Sequence, residues 1–369
     1  MKITLLDPGL KGTQGHHFDL DIRLAEALMQ RGHEVDIHAY VEPEPTLIEH
    51  ARARGMTLRP TFRIPTYTRI PFYQPAVKAY SKLIDTTAAD IAAIAPSDLW
   101  VWPTLAPYQL AAALSKKHAV RQLGGTWWLP KKPVPAGERI WARTAQALAE
   151  QHYPITVGAY DPALCLAHQN AFPGLLMPAL PCPHDGARPD KPSTAVRRIG
   201  FFGQQRNKRG LALMPKLVDA LLAQGFEVVV QDSSPNKVNT PARAGLTRLP
   251  YVADFAAQII RCDLVVWPSK KAAYRHSWSG VVSESVASGV PLVVPSGCMP
   301  GDLVARYGCG TFFHDFNHNS ILAAVAQAVS EFPTLSKNAQ AAALDWHARN
   351  GTDRLAAWID THATQGITP

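Results

Sequence analysis

Residues 274–295, YRHSWSGVVSESVASGVPLVVP, hold the groups best placed for chemistry. Ser277, Ser279 and Gly280 make a polar, glycine-containing loop that opens a short helix, and Glu284 lies about one turn into it. A loop feeding a helix N-terminus leaves backbone N–H groups without intrahelical acceptors at the positive end of the helix dipole, which suits a phosphate. A carboxylate one turn further along can accept hydrogen bonds from the two hydroxyls of a ribose. Ser279, Gly280, Val281 and Glu284 therefore read as half of a nucleoside-diphosphate cradle. Gly289 stops the helix, and Pro291 leads into a buried strand over residues 292–294.

Two further loops carry reactive residue types. Residues 203–210 read GQQRNKRG. The glycines Gly203 and Gly210 let backbone approach a ligand, and Arg206 and Arg209 supply forked donors for phosphate oxygens. Residues 9–17 read GLKGTQGHH, without the G-x-G-x-x-G spacing of dinucleotide dehydrogenases, so that oxidoreductase class is disfavoured. Gly15 can approach the far side of a bound diphosphate or sugar. His16 and His17 are candidates for a base or a sugar-hydroxyl partner, the alternative being one helix cap and one exposed ring. Trp127 and Trp128, after Gly124 and Gly125, offer faces on which an acceptor sugar can stack, or pack in the core. No metal site is expected. The pair Asp19 and Asp21 reads as acids near a helix N-terminus, where residues two apart diverge. His33 and Glu34 lie on a strand surface without zinc spacing, and the five cysteines contain no C-x-x-C pair.

The elements that position these loops come in two similar sets. Residues 24–37, LAEALMQRGHEVDI, align without a gap on residues 217–230, LVDALLAQGFEVVV. Both pair an amphipathic helix ending at Gly32 or Gly225 with a following strand. In the first copy Phe18, Ile22, Ala25 and Met29 keep helical spacing, and Val35, Ile37 and Ala39 alternate with Glu34, Asp36 and His38. A second echo is DLWVWP at residues 98–103 against DLVVWP at 263–268. Each half opens strand, loop, helix, Gly, strand, over residues 3–6, 9–15, 18–31 and 35–40, and again over 199–202, 203–210, 211–224 and 226–230. Alternation of strand and helix implies an α/β fold of two Rossmann-like, doubly wound parallel-sheet domains. Ligands of such sheets bind beyond the carboxyl ends of the strands, so a cleft between two facing domains is the expected site. The expected domains are residues 1–180 and 196–335. A proline-rich stretch over residues 173–192 supplies a stiff linker, placed at 181–195, and helices follow over 336–369.

Composition bounds the rest. A chain of 369 residues with 47% hydrophobic and 18% charged residues can bury two cores of similar size. Its apolar runs are strand-sized, and the N-terminal one is too short for a signal peptide, so a cytoplasmic protein is expected. The formal charge of +8 points to an anionic partner. Arg52, Arg54, Arg59, Arg63, Arg69, Lys78 and Lys82 occur without an intervening acid and among Tyr67, Phe72, Tyr73 and Tyr80. Such a stretch suits the headgroups of an anionic membrane or is a solvated surface. Nucleic acid has only net charge in its favour and is not expected.

Over residues 199–313 the chain resembles the nucleotide-sugar domain of GT-B glycosyltransferases, above all the retaining family 4 type. The residues carrying this are Gly203, Arg206, Arg209 and Gly210, the segment YVADFAAQIIRCDLVVWP at 251–268, and the segment at 274–295. The first half fits through Gly15, His16 and residues 24–37, and the likeness is weak over 46–95. In that family two glutamates bracket seven residues; Glu284 matches the second, implied to bind ribose, and His276 stands where the first would contact the donor sugar. The resemblance implies a GT-B fold whose last helices cross back to the first domain. It further implies transfer from a UDP- or GDP-sugar to a glycan, lipid-linked or small-molecule hydroxyl acceptor, with retention. The leaving diphosphate helps deprotonate the acceptor, and Arg206, Arg209 and the backbone of residues 279–281 stabilise its charge without a metal or cofactor. Gly203, Gly15, His276 and Tyr251, which edges the base, complete the donor set, and Trp127 and Trp128 the acceptor set. A GT-B epimerase or phosphorylase keeps the fold and changes the reaction. A non-catalytic sugar-nucleotide or polyanion binder is the reading that His276 favours.

Overall fold

Residues 3–6, 99–102, 199–202 and 264–267 are short apolar runs without a polar face to turn toward water, and they form inner strands of sheets covered on both sides. The computed structural model describes residues 1–68, 76–115, 119–127, 155–171, 176–187, 193–232, 238, 240–250, 252, 254–275 and 277–364. They fall into two compact units, Met1–Pro183 with Thr352–Pro369, and His184–Gly351.

In the first unit the parallel strands are β1 (Lys2–Leu6), β2 (Glu34–Tyr40), β3 (Thr57–Phe62), β4 (Leu99–Trp102), β5 (Arg121–Thr126) and β6 (Ile155–Ala159), in the order β3-β2-β1-β4-β5-β6. Helices α1 (His16–Gln30), α2 (Pro45–Ala53), α3 (Ala76–Ala92) and α4 (Pro107–Leu114) lie between successive strands, and α5 (Pro162–Ala171) follows β6. In the second unit α6 (Met214–Ala223), α7 (Phe255–Ile259), α8 (Lys271–Tyr274), α9 (Gly280–Ala287), α10 (Met299–Tyr307), α11 (His318–Ser330) and α12 (Phe332–Arg349) accompany β7 (Arg198–Phe201), β8 (Glu227–Gln231), β9 (Leu246–Leu249), β10 (Leu264–Val266), β11 (Leu292–Pro295) and β12 (Gly310–Phe313). Their order is β12-β11-β10-β7-β8-β9. Read from each unit's own first strand, both sheets are wound 3-2-1-4-5-6, the doubly wound order. The internal repeat in the sequence is thus a repeat of topology. Each unit has its switch point between its first and fourth strands, β1 and β4 or β7 and β10.

The DLWVWP and DLVVWP echo has a structural purpose. Asp98 Oδ2 accepts from Lys2 N at 2.7 Å, and Asp263 Oδ2 accepts from Arg197 N and Arg198 N, each at 2.8 Å. The aspartate before each fourth strand therefore holds the start of the first strand beside it and sets the register of the central pair.

Three features of the elements depart from the sequence reading. Strand β2 is buried on both faces, so the alternation of Glu34, Asp36 and His38 does not mark a wet side. Asp36 is covered by Lys2 at 3.4 Å and Arg59 at 3.2 Å, and His38 Nδ1 meets Thr61 Oγ1 at 2.7 Å. Burial, with Arg59, pushes His38 down to about 4. His33 is likewise no surface residue, because its Nε2 meets Asp360 Oδ1 at 3.2 Å on the last helix. The proline-rich stretch is not a bare linker over its described part. Ala179 forms a parallel bridge with Ala159, Leu180 N donates to Ala159 O at 2.8 Å, and Met177, Leu180 and Cys182 are buried.

The C-terminal helices divide. The apolar face of α12, with Phe332, Leu335, Ala339, Ala343 and Trp346, is buried in the second unit. Gln340 Nε2 donates to Gly289 O at 3.0 Å and Asn338 Nδ2 to Gly308 O at 2.9 Å, satisfying the carbonyls where two helices end. Only α13 (Thr352–Thr364) belongs to the first unit, where Leu355, Ala356 and Ile359 join the core with Leu24 and Leu28.

Candidate functional site

In the second unit the loop after β7 is shaped by two left-handed glycines. Gly203 has φ +82°, and its N–H donates to Gln231 Oε1 at 2.5 Å. A Cβ on Gly203 would lie 2.6 Å from an Arg209 guanidinium nitrogen, and one on Gly210 (φ +81°) would lie 2.6 Å from the Pro268 carbonyl. Both positions therefore favour glycine by conformation, and Gly210 also by space, since its close neighbour is backbone. The turn Asn207–Arg209 is tied to the loop after β10 through Lys270 N, which donates to Lys208 O at 2.9 Å.

The two arginines differ in environment. Arg209 is half-buried, with its guanidinium 5.7 Å from the centroid of the Trp267 ring. Burial pushes it below the ordinary guanidinium value, Tyr274 acts against that shift and Arg206 adds to it. Arg206 is exposed, and its Nε donates to Gln204 Oε1 at 2.9 Å. Arg206 is thus presented at the loop tip, whereas Arg209 is a fixed positive charge beneath it.

Helix α9 leaves the same switch point. Ser279 is its N-cap, accepting from Val282 N at 3.5 Å through Oγ and from Ser283 N at 3.0 Å through its carbonyl. The N–H groups of Gly280 and Val281 have no intrahelical acceptor. Glu284 is buried, but it is not an open carboxylate waiting for two hydroxyls. Its Oε1 lies 3.0 Å from His184 Nδ1, and its Oε2 accepts from Gly186 N at 2.9 Å. Ser288 Oγ extends the seam by accepting from Ala187 N at 3.0 Å, and Trp346 Nε1 holds His184 O at 2.7 Å. Gly186 (φ +62°) lets this strand of chain approach the Ala287 backbone. Each Glu284 oxygen retains a second lone pair, so a hydroxyl can still be accepted there. Sequence reasoning missed His184. Its signal is the run PCPHDG at residues 181–186, where glycine after the last proline marks a close approach.

In the first unit the chemistry gathers at the end of β1. Asp7 is fully buried; its Oδ1 accepts from Gly9 N at 2.6 Å, and its Oδ2 lies 2.6 Å from His17 Nδ1. A Cβ on Gly9 would overlap the His17 ring, so glycine makes room for the imidazole. The helix N-cap is Gly15 (φ +89°), not a histidine. His16 is exposed and meets the Tyr67 hydroxyl at 3.0 Å. Of the two candidate bases, His17 therefore has the carboxylate partner. Asp21 is also fully buried and lies against Asp7, so it is not a solvated helix-end acid. Trp127 spends one ring face on Tyr160, with centroids 4.3 Å apart and planes at 31°, and packs on the core.

Trp128, Tyr251 and His276 lie outside the described residues. In the basic stretch Arg54 pairs with Glu26 at 2.9 Å, Arg59 with Asp36 at 3.2 Å and Arg63 with Asp90 at 2.6 Å, so three of its charges are balanced within the fold. Arg69 and Lys78 are beyond the described side chains. All five cysteines are free and buried, and burial pushes Cys262 and Cys309 up to about 12. Among the described residues no three His, Cys, Asp or Glu side chains cluster to hold a metal, and no helix is long and apolar enough to cross a membrane.

No family model matches the sequence, and no curated protein matches it either. Solved structures do. The glycosyltransferase SnogD from Streptomyces nogalater is similar with a TM-score of 0.64 and 17% identity, over 98% of this chain and 99% of that one. A glycosyltransferase from Rickettsia africae gives 0.67 and 12% identity over 98% and 97%. WaaG, a glycosyltransferase involved in lipopolysaccharide biosynthesis, gives 0.59 and 14% identity over 99% and 100%. With the two six-stranded parallel sheets, these likenesses show that the chain has the GT-B fold.

Proposed function

We propose that the protein is a glycosyltransferase whose second unit binds a nucleoside-diphosphate sugar and whose first unit serves a hydroxyl acceptor. The observation that carries this reading is the pairing at the β7/β10 switch point of an arginine-bearing glycine loop with the Ser279-capped start of α9. Arg206, fixed Arg209 and the N–H groups of Gly280 and Val281 are donors suited to a diphosphate whose charge grows as the sugar leaves. Gly203 keeps that loop open, and Glu284 offers its spare lone pairs to the ribose. These donors supply the stabilisation a metal would otherwise give, which supports metal-independent transfer. The structural neighbours' names support sugar transfer in general, and the resemblance to family 4 supports retention.

A second reading keeps donor and acceptor but inverts the anomeric centre. It is favoured by the 2.6 Å contact between Asp7 and His17. Asp7 holds the proton of His17 on Nδ1, leaving Nε2 as the base. That atom takes the acceptor's hydroxyl proton while the oxygen attacks the anomeric carbon, and the bonding pair leaves with the diphosphate.

A thermal-shift screen with UDP and GDP tests the donor. A nucleotide at roughly 100 times its dissociation constant adds about 2.7 kcal/mol. No shift with any nucleoside diphosphate at millimolar concentration removes the donor reading. NMR assignment of the product anomer then separates retention from inversion.

A further inference from the structure

Helix α1 turns Leu20, Asp21, Leu24, Ala25 and Leu28 inward. An acid within that apolar row is costly unless something neutralises it. Asp21 and Asp7 both have 0% exposure. Asp7 already receives Gly9 N and stands 2.6 Å from His17 Nδ1. Neither Asp21 oxygen receives a hydrogen bond from a described donor, and the polar side chain acting on it is that of Asp7. Two carboxyl groups pressed together in a buried site do not both ionise.

We propose that Asp21 keeps its proton at neutral pH and donates it to Asp7, so that Asp7, Asp21 and His17 form one cluster with a single negative charge. Asp21 is then a positioning residue. Its proton pins the Asp7 carboxylate, which keeps the His17 proton on Nδ1 and leaves Nε2, buried and without a partner among the described residues, as the basic atom toward a hydroxyl. When His17 takes up a hydroxyl proton, the imidazolium faces Asp7 while the Asp21 proton stays where it is. This catalytic consequence rests on the reading of His17 as a glycosyl-transfer base; the placement of the proton does not.

The electrostatics agree. Burial first, then the charge of Asp7 and a hydrogen bond to it, push Asp21 well above the ordinary carboxylate range. Among the described residues the titratable groups facing the cluster are His16, whose ring centroid lies 4.1 Å from that of His17, and the phenols of Tyr160 after β6 with Cys182 beside it, Tyr67 after β3 and Tyr108 on α4. Burial raises all three phenols, so they stay neutral near neutral pH.

Because the folded value is raised, the folded chain binds a proton that the unfolded chain releases near pH 4, and this stabilisation is lost as pH rises toward the folded value. The test is guanidinium unfolding of the full chain and of Asp21→Asn between about pH 5 and 7, where the wild-type folding constant should fall with rising pH relative to the variant, by up to about tenfold per unit. His38, depressed to about 4, gives the opposite slope in both proteins and cancels in the comparison. Infrared spectra of the ¹³C-aspartate-labelled wild type should show a protonated-carboxyl band at neutral pH, lost in Asp21→Asn. Imidazole ¹⁵N NMR should show the Nδ1–H tautomer of His17 retained in Asp21→Asn and lost in Asp7→Asn. A pH-independent ratio of folding constants, or no protonated-carboxyl band in the wild type, overturns the proposal; the band decides alone if Asp21→Asn does not fold. A confirmed band in a protein that transfers no sugar from any nucleotide donor would sink the glycosyl-transfer reading and leave the proton in place.

Discussion

Glu284 shows how one side chain can carry a ligand argument and a packing argument together. One turn into a capped helix, a carboxylate is well placed for ribose, yet both its oxygens are tied to residues 184–186. Glu284→Ala therefore removes the acceptor of the Gly186 N–H and the carboxylate beside the His184 imidazole, and, on the proposed function, a nucleotide contact as well. We expect it to cost about 2–4 kcal/mol of stability, since a buried donor left without its acceptor loses its full solvation. Nucleotide affinity should fall roughly tenfold or more with the loss of a charged acceptor. Glu284→Gln keeps one acceptor oxygen and should recover part of the stability. Denaturant unfolding and calorimetry with UDP or GDP separate the two effects. Unchanged affinity in a folded Glu284→Ala protein would leave this residue a purely structural anchor.

At the scale of elements, the aspartates before the fourth strands matter more than a sequence echo suggests. Asp263 is half-buried and accepts two backbone N–H groups, whereas Asp98 is exposed and accepts one. Asp263→Ala should cost about 1.5–3 kcal/mol and Asp98→Ala about 0.5–1.5 kcal/mol, the difference following bond count and solvent screening. Guanidinium midpoints of the two variants check the ranking, and an equal or reversed order would show that the echo does not set strand register. The echo and the duplicated helix–Gly–strand unit were legible because they are local and periodic. The ends of α12 were not. The Ala-rich sequence specifies a helix, but which unit receives its apolar face depends on Gly289 and Gly308, some 30 to 50 residues away, whose carbonyls it satisfies.

At the scale of the molecule, the chain returns to its first unit only through α13. Arg31 Nη2 donates to Asp353 O at 3.4 Å, Arg121 Nη1 to Ala363 O at 3.2 Å, and His33 meets Asp360. Truncation after Gly351 removes Leu355, Ala356 and Ile359 from the core around α1 and leaves His33 without its partner. Losing two large buried aliphatic side chains should cost about 3–6 kcal/mol. Hydrogen exchange should then rise in α1 and β2 while the second unit keeps its protection. Uniform loss of protection across both units would show instead that the units do not unfold separately.

The sequence by itself determined the α/β class, the duplicated architecture, the positions of the two glycine loops and the capped start of α9. Each of those is written in short-range signals: period-3.6 and apolar runs, a serine before a helix, glycines where backbone must turn left-handed. Only the tertiary structure decided which charged groups are spent on the protein and which remain for a ligand. His184 and Glu284 meet across 100 residues, and Asp90 with Arg63 and Asp7 with His17 and Asp21 meet across shorter loops, because packing of helices against the sheets brings their side chains together. Burial then sets their charge. No local pattern distinguishes Asp19 at a half-buried helix start from Asp21 two residues on, sealed against Asp7, because the difference is the sheet that α1 covers.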